Sequence, residues 1–436
     1  MITPESTAIA NLGPRNIPSP LRLVAHRGEG VGLFVPDDAR IRYQVECGTG
    51  DDLPDNIFFE KAGPRERLFF DPKETRAAIV TCGGICPGLN NVISSAFLEL
   101  HYNYGVKKVL GIRYGYAGLN PKVGLPPAEL TPEMISSIHE DGGTMLGSSR
   151  GPQPTDVIVD FLVAQKINIL LCTGGDGTLR GARDIAAEAQ KRGLPIAVVG
   201  IPKTIDNDVM YITRTFGVVT AVEKARAVLD CAHHEAHSAF NGVGLVKVMG
   251  RDAGFIAAGA TLASQDVNFC LIPEVPFALE GSGGFFEALR RYLANSRHAV
   301  VVVAEGAGQE LLKNLPAEKD ASGNKRHADI GPFLKDQITA WFKQINMPVD
   351  VKYFDPSYYI RSAPANCDDA VLCDQLARKA VHAAMAGKTN MVVGFWNGTL
   401  THLPISLAVS RKKQVDPEGI VWTSVLAATG QPRRFS

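Results

Sequence analysis

The sequence has no unbroken apolar run long enough to cross a bilayer; its hydrophobic residues, 45% of the chain, come in short segments. A soluble protein with no membrane partner is expected. It also lacks an excess of either charge, since Lys plus Arg and Asp plus Glu each number 45, and no long basic run is present. Partners that demand a strongly basic face, nucleic acids above all, are disfavoured. The eight Cys include no CxxC pair, and Cys82, Cys172 and Cys270 sit in apolar, strand-like contexts, as reduced core thiols do. MITPESTAIANLGPRN has neither the cationic start nor the apolar stretch of a secretory signal, and RRFS is no peroxisomal address. A cytoplasmic location is the expectation.

What is present is the rhythm of an α/β protein. With 436 residues the chain exceeds what one core usually serves, so two domains or lobes are expected. Residues 1–75 are rich in Pro and Gly and read as an N-terminal extension, with Ile41 to Glu46 and Asn56 to Phe59 as candidate short strands. From Arg76 the texture changes. Ala77 to Thr81 is an apolar run, CGGICPG a turn-rich loop, and Leu89, Val92, Ile93, Ala96, Phe97 and Leu100 follow at helical spacing. The unit recurs as Ile167 to Thr173, GGDGT, and a helix carrying Leu179, Ala182, Ile185, Ala186 and Ala189 that Gly193 closes; a strand at Ile196 to Gly200 follows. Apolar runs at Val243 to Val248, Ala299 to Ala304 and Met391 to Phe395 continue the alternation, which implies parallel sheets covered on both faces. The polar stretch KNLPAEKDASGNKRHADIG reads as a surface insertion or mobile loop.

In open α/β sheets the loops leaving strand C-termini line the ligand crevice, and three of them carry chemistry here. Gly83-Gly84-Ile85-Cys86-Pro87-Gly88 lets backbone N–H groups approach phosphate oxygens, although a plain tight turn would use the same glycines. Thr173-Gly174-Gly175-Asp176-Gly177-Thr178 surrounds one carboxylate with glycines; a Mg²⁺ between Asp176 and bound phosphate explains that placement, and an N-cap role for Asp176 is the bland reading. Gly200-Ile201-Pro202-Lys203-Thr204-Ile205-Asp206-Asn207-Asp208 brings a base, an anchor and donors into one segment, and is the strongest local signal.

Three lookalikes fail on context. Gly147-Ser148-Ser149-Arg150-Gly151 has the G-x-S-x-G spacing of hydrolases, but GPQPTD follows it where a helix should start. Gly387-Lys388-Thr389 has the end of a Walker A loop, yet a helix precedes it, so it reads as a helix stop. His233, His234 and His237 lack H-E-x-x-H spacing and a third ligand, and read as a polar helix face.

Taken together, CGGICPGLNNVI, GGDGT, PKTIDND and VMGRDAGF resemble the 6-phosphofructokinase family over about residues 77 to 410. PKTIDND, KYFDPSYYIRSAPAN and AVHAAMAGKT are most similar to its long-chain, ATP-dependent branch found in plants and trypanosomatids. The resemblance implies two lobes of Rossmann-like parallel-sheet α/β sandwich with the active site in the cleft between them. Residues 76–218 plus 360–410 would form the ATP and magnesium lobe, 219–359 the sugar-phosphate lobe, and 411–436 a C-terminal segment. The implied reaction moves the γ-phosphoryl of ATP to O1 of fructose 6-phosphate. Asp206 would be the base, with Thr204 and Asp208 positioning the hydroxyl, and Asp176 would contact Mg²⁺. Gly84, Gly174, Gly175, Gly177, Thr178 and Lys203 would line the donor phosphates, Arg150 would bridge them, and Tyr116 would lie near the nucleoside. Arg251 would face the transferring phosphoryl or the sugar, Met249, Gly250 and Glu274 would hold the sugar, and Lys352, Tyr358 and Arg361 the 6-phosphate. Family members are commonly dimers or tetramers, so a homodimer or homotetramer is implied.

Departures from the bacterial pattern accompany the match. Lys352 and Tyr358 stand where many members have Arg and His, and no counterpart of a second phosphate-binding Arg appears near Asn241 and Gly242. The alternative donor is pyrophosphate. Its users typically carry Asp after GGD, where this chain has Gly177; Lys203 serves either donor, so Gly177 decides for ATP.

Overall fold

The computed structural model describes residues 2–46, 57–313 and 327–436. The chain divides into two compact units: Met1–Thr204, Val209–Gly217 and Ala363–Lys412 form the first, and Ile205–Asp208, Val218–Ser362 and Lys413–Ser436 the second.

Among the described residues, the first unit is built on a nine-stranded mixed sheet. Its centre is parallel, in the spatial order Met391–Trp396, Ala197–Pro202, Ile169–Gly174, Arg76–Thr81 and Lys108–Ile112. Every residue of Ile169–Gly174 and Ala197–Pro202 is buried, which is why these strands read as unbroken apolar runs instead of alternating ones. Helix Asp176–Lys191 buries Leu179, Ala182, Ile185, Ala186 and Ala189 at the predicted spacing. It ends at Gly193, whose φ of +65° belongs to the left-handed region, with the Leu194 amide returning to the Ala189 carbonyl at 3.0 Å.

The sheet is less purely parallel than the alternation suggests. Thr399–Pro404 folds back antiparallel on Met391–Trp396, and Phe58–Lys61 and Arg40–Arg42 extend that side antiparallel. The two strands expected in the extension thus exist, slightly shifted, and belong to the main sheet; residues 47–56 between them lie outside those described. Ion pairs lock this arm in place. Arg65, 2% exposed, reaches Glu60 Oε1 at 2.7 Å and Asp37 Oδ1 at 3.0 Å. The same Glu60 oxygen accepts from Lys388 Nζ at 2.6 Å and His402 Nδ1 at 3.0 Å. Removing one partner would strand buried charge, which is why such clusters hold an arm firmly.

The second unit has a four-stranded parallel sheet in the order Phe269–Leu271, His298–Ala304, Gly242–Val248 and Asp350–Phe354. Phe269, Phe285, Phe286, Phe342 and Phe435 fill one layer beside it. The free edge of Phe269–Leu271 is covered by Gln431, whose amide donates to the Cys270 carbonyl at 3.1 Å and accepts from its N–H at 2.7 Å. The polar insertion falls, over 314–326, outside the described residues.

Candidate active site

In the first unit, three strand-end loops converge through hydrogen bonds. The Cys82 amide donates to the Thr173 carbonyl at 2.9 Å and the Lys203 amide to Gly174 at 3.0 Å, so the loops leaving Arg76–Thr81, Ile169–Gly174 and Ala197–Pro202 are tied together. Lys203 is buried, and its Nζ donates to the Gly84 carbonyl at 2.6 Å. Gly83 donates to the Ser149 carbonyl at 3.0 Å and accepts from Ser148 Oγ at 2.6 Å. A side chain at Gly84 would press on the Arg150 guanidinium at 3.1 Å, so Arg150 packs over this loop. The G-x-S-x-G lookalike is therefore a wall of the glycine loop. Burial pushes the Cys82 thiol up to about 12, removing a nucleophile from that loop.

Asp176 opens helix Asp176–Lys191, and Gly175, the residue before it, offers no side-chain cap. The first amides of that helix are left to bind an anion. A side chain at Gly174 would collide with Thr178, whereas one at Gly177 would meet none of the described residues within 4 Å. Asp176 Oδ2 lies 3.2 Å from Lys412 Nζ and 3.8 Å from Arg180, while its buried Oδ1 has no hydrogen-bond partner among the described residues. An orphaned carboxylate oxygen beside uncapped amides fits a divalent cation held between carboxylate and phosphate. Tyr116 is buried and donates its hydroxyl to the Thr178 carbonyl at 2.7 Å, so it supports the glycine loop from below.

Thr204 ends the first unit's share of PKTIDND, its carbonyl accepting from Thr215 Oγ1 at 2.6 Å. Ile205–Asp208 groups with the second unit. Asp206 is half-buried and Asp208 buried, with Asn207 at a φ of +54° between them. The Asp208 carbonyl accepts from the Lys413 amide at 2.9 Å. Burial pushes the Lys413 ammonium down to about 7 against the pull of Asp208, and its Nζ lies 5.1 Å from the Phe255 ring centroid.

Met249 and Gly250 follow strand Gly242–Val248 directly, and the Arg251 amide donates to Glu305 Oε1 at 2.9 Å. Glu274 accepts from the amides of Gly254 and Val415, at 2.9 and 2.8 Å, so it caps helix Phe255–Ser264 and holds the C-terminal segment. Burial raises its pKa despite those bonds. Tyr358 and Arg361 share the short helix Ser357–Ser362, the guanidinium 4.7 Å from the ring centroid. Arg361 Nε is buried and has no acceptor among the described residues, as an arginine built for an anion would be. Lys352 stands on Asp350–Phe354 and pairs with Asp350 at 3.1 Å.

Sequence reasoning gave Lys412 and Lys413 no role. They reach Asp176 and Asp208 because Lys412 makes an antiparallel bridge with Val209. The only sequence signal was the basic triplet Arg411-Lys412-Lys413 after an apolar stretch. Of the other lookalikes, Gly387 ends helix Cys367–Met385 with φ at +75°, as a helix stop should. His233 and His237 lie on helix Val218–His237 with their rings against His298.

The family profile described as Phosphofructokinase matches residues 76–384. A protein from Borreliella burgdorferi named ATP-dependent 6-phosphofructokinase is 48% identical over 414 residues, covering 93% of each chain. One of the same name from Amycolatopsis methanolica is 46% identical, covering 86% of this chain and 83% of its own. A chloroplastic ATP-dependent 6-phosphofructokinase of Arabidopsis thaliana is 46% identical, covering 89% and 72%. Among solved structures, a pyrophosphate-dependent phosphofructokinase from Marinobacter aquaeolei superposes with a TM-score of 0.67 at 20% identity, covering 82% of this chain and 91% of that one. That likeness concerns the fold alone.

Proposed function

The chain belongs to the phosphofructokinase family, and on that footing we propose that it transfers the γ-phosphoryl of ATP to O1 of fructose 6-phosphate, giving fructose 1,6-bisphosphate and ADP. The observation that carries this reading is the Gly174–Thr178 loop, with uncapped helix amides, an orphaned Asp176 oxygen and open space over Gly177. Mg²⁺, held by Asp176 and the donor phosphates, would neutralise charge that otherwise repels the carboxylate. Phosphoryl transfer asks the protein mainly for positioning and electrostatics.

The chain's residues divide that work. Amides of Gly84 and of Gly174 to Thr178 orient the donor, with Arg150 over its charge and Lys203 fixing the Gly84 loop. Asp206 takes the proton from the O1 hydroxyl, with Thr204 and Asp208 placing that hydroxyl. Arg251, Met249 and Gly250 meet the sugar, and Lys352, Tyr358 and Arg361 take its 6-phosphate. Lys412 holds Asp176 in place, and Glu274, anchored by the amides of Gly254 and Val415, holds the sugar hydroxyls. Residues 76–218 with 360–410 serve the donor and 219–359 the sugar phosphate, in a cytoplasmic homodimer or homotetramer. Among the described residues no helix is long and apolar enough to cross a membrane.

The test is a coupled assay on fructose 6-phosphate comparing ATP with pyrophosphate. ATP is expected to be the faster donor. Gly177→Asp is expected to remove most ATP activity, because it places a carboxylate in the open space where the α-phosphate would lie. Faster turnover with pyrophosphate in the unaltered protein, or an unchanged ATP rate in Gly177→Asp, would sink the donor assignment.

A further inference from the structure

The first unit contains a cavity of about 710 Å³ that none of the reaction chemistry uses. Its walls come from the N-terminal arm, helix Cys367–Met385 and the turn joining Met391–Trp396 to Thr399–Pro404. That volume is within the range of small-molecule sites. Leu23, Leu33 and Phe395 supply apolar wall, and Arg22, Lys61 and Lys379 supply three cations. The one acidic residue among the described lining residues, Glu99, is already committed, accepting from Arg378 at 2.7 Å and from Asn103 at 2.6 Å.

Lys379 is the telling member. It is half-buried, and no ion pair or side-chain hydrogen bond engages it or Lys61 among the described residues. Burial lowers its pKa, Glu99 pulls the other way, and the charges of Arg378, Lys61 and Arg65 add to the lowering. Cations gathered against an apolar wall, with Glu99 already engaged by Arg378 and Asn103, repel one another, and an anion with an apolar body would relieve both the repulsion and the exposed surface.

We propose that this cavity is a binding site for a small organic anion, a phosphate or carboxylate carried on an apolar or aromatic body. The anionic end sits on Lys379 and Lys61, and the body rests on Leu23, Leu33 and Phe395. The proposal is independent of the phosphoryl-transfer reading, because none of these residues serves it.

The test titrates the full-length protein with phenyl phosphate, and with phenol as the neutral counterpart, by calorimetry. Phenyl phosphate is expected to bind saturably and phenol at least tenfold more weakly, since a charge-assisted contact contributes about 1.5–3 kcal/mol. Lys379→Met and Lys61→Met should each weaken phenyl phosphate binding about tenfold while leaving ATP-dependent turnover in place. Because Lys61 is exposed, its variant keeps the test valid if Lys379→Met folds poorly, which a thermal melt reports. Arg361→Ala, in the other unit, should leave the binding unchanged. Equal affinity for phenol, no saturable binding into the millimolar range, or binding abolished by Arg361→Ala but untouched by both lysine variants would overturn the proposal.

Discussion

The groups proposed for the reaction differ in kind between the two units. In the first, the groups proposed to meet the donor are largely backbone amides, tied by loop-to-loop bonds such as Lys203 Nζ to Gly84 and Tyr116 to Thr178. In the second, the groups proposed to meet the sugar phosphate are side chains on a loop and a short helix, Asp206 and Arg361 among them, and Arg361 Nε has no acceptor among the described residues. Backbone donors suit a phosphate chain that every turnover presents in the same pose. Side chains suit a proton transfer and a single recognised anion, and they can be altered one at a time.

That contrast can be broken by substitution. The largest effect is expected from Asp206→Ser, which should lower turnover by roughly 10²- to 10⁴-fold, the worth of a positioned general base, with substrate binding little changed. Steady-state kinetics at saturating substrate check it, and near-normal turnover would remove Asp206 from the mechanism. Next comes Arg361→Ala. Its proposed partner, the 6-phosphate, carries charge in both ground and transition states, so the KM for fructose 6-phosphate should rise roughly 10- to 100-fold while that for ATP stays nearly constant. Equal effects on both would put Arg361 on the donor side and erase the division between units.

The smallest effect sharpens the contrast from the first unit's side, where rigidity depends on buried charge. Burial pushes the His402 imidazole down to about 4 from an ordinary 6.5, against the pull of Glu60, and it pushes His382 down as well. Burial alone would raise Glu60; the His402 hydrogen bond and the Lys388 charge instead hold its carboxyl well below the usual range. The signs agree. A lowered histidine leaves the unfolded chain binding the proton first, so stability falls as pH drops from about 6.5 toward 4, and Glu60 continues the loss below its ordinary 4.5. His402 should contribute about 2 kcal/mol of that loss between pH 7 and 5. Thermal melts of the wild type and His402→Gln across this range check it. The variant's slope should be shallower, and an identical slope would mean that His402 does not titrate on unfolding.

Much of the fold was open to reading because its signals are local. Fully apolar runs mark strands with both faces covered, and the expected segments at Ala77 to Thr81, Ile196 to Gly200 and Val243 to Val248 match observed strands within a few residues. Helix Asp176–Lys191 was legible for the same reason, since its apolar spacing and the glycine that stops it lie within one stretch of chain. The extension was harder. Its strands are short, and although Arg40–Arg42 pairs with the nearby Phe58–Lys61, the latter's other partner lies more than 300 residues away, so nothing nearby announces that Phe58–Lys61 joins Thr399–Pro404. The anchoring of Glu274 by the amides of Gly254 and Val415 was also beyond sequence reading, since Val415 comes beside it only in space.

By itself, the sequence determined the glycine and carboxylate loops proposed to carry chemistry, and the α/β class, because glycine spacing, carboxylate placement and hydrophobic period act within about a dozen residues. Only the tertiary structure decided which groups surround them. The bridge between Val209 and Lys412 is what sets Lys412 beside Asp176 and Lys413 beside Asp208. Packing of the arm against helix Cys367–Met385 is likewise what gathers Arg22, Lys61 and Lys379 around one cavity. Such neighbours are far apart along the chain, so their electrostatics exist only once the backbone has closed the distance.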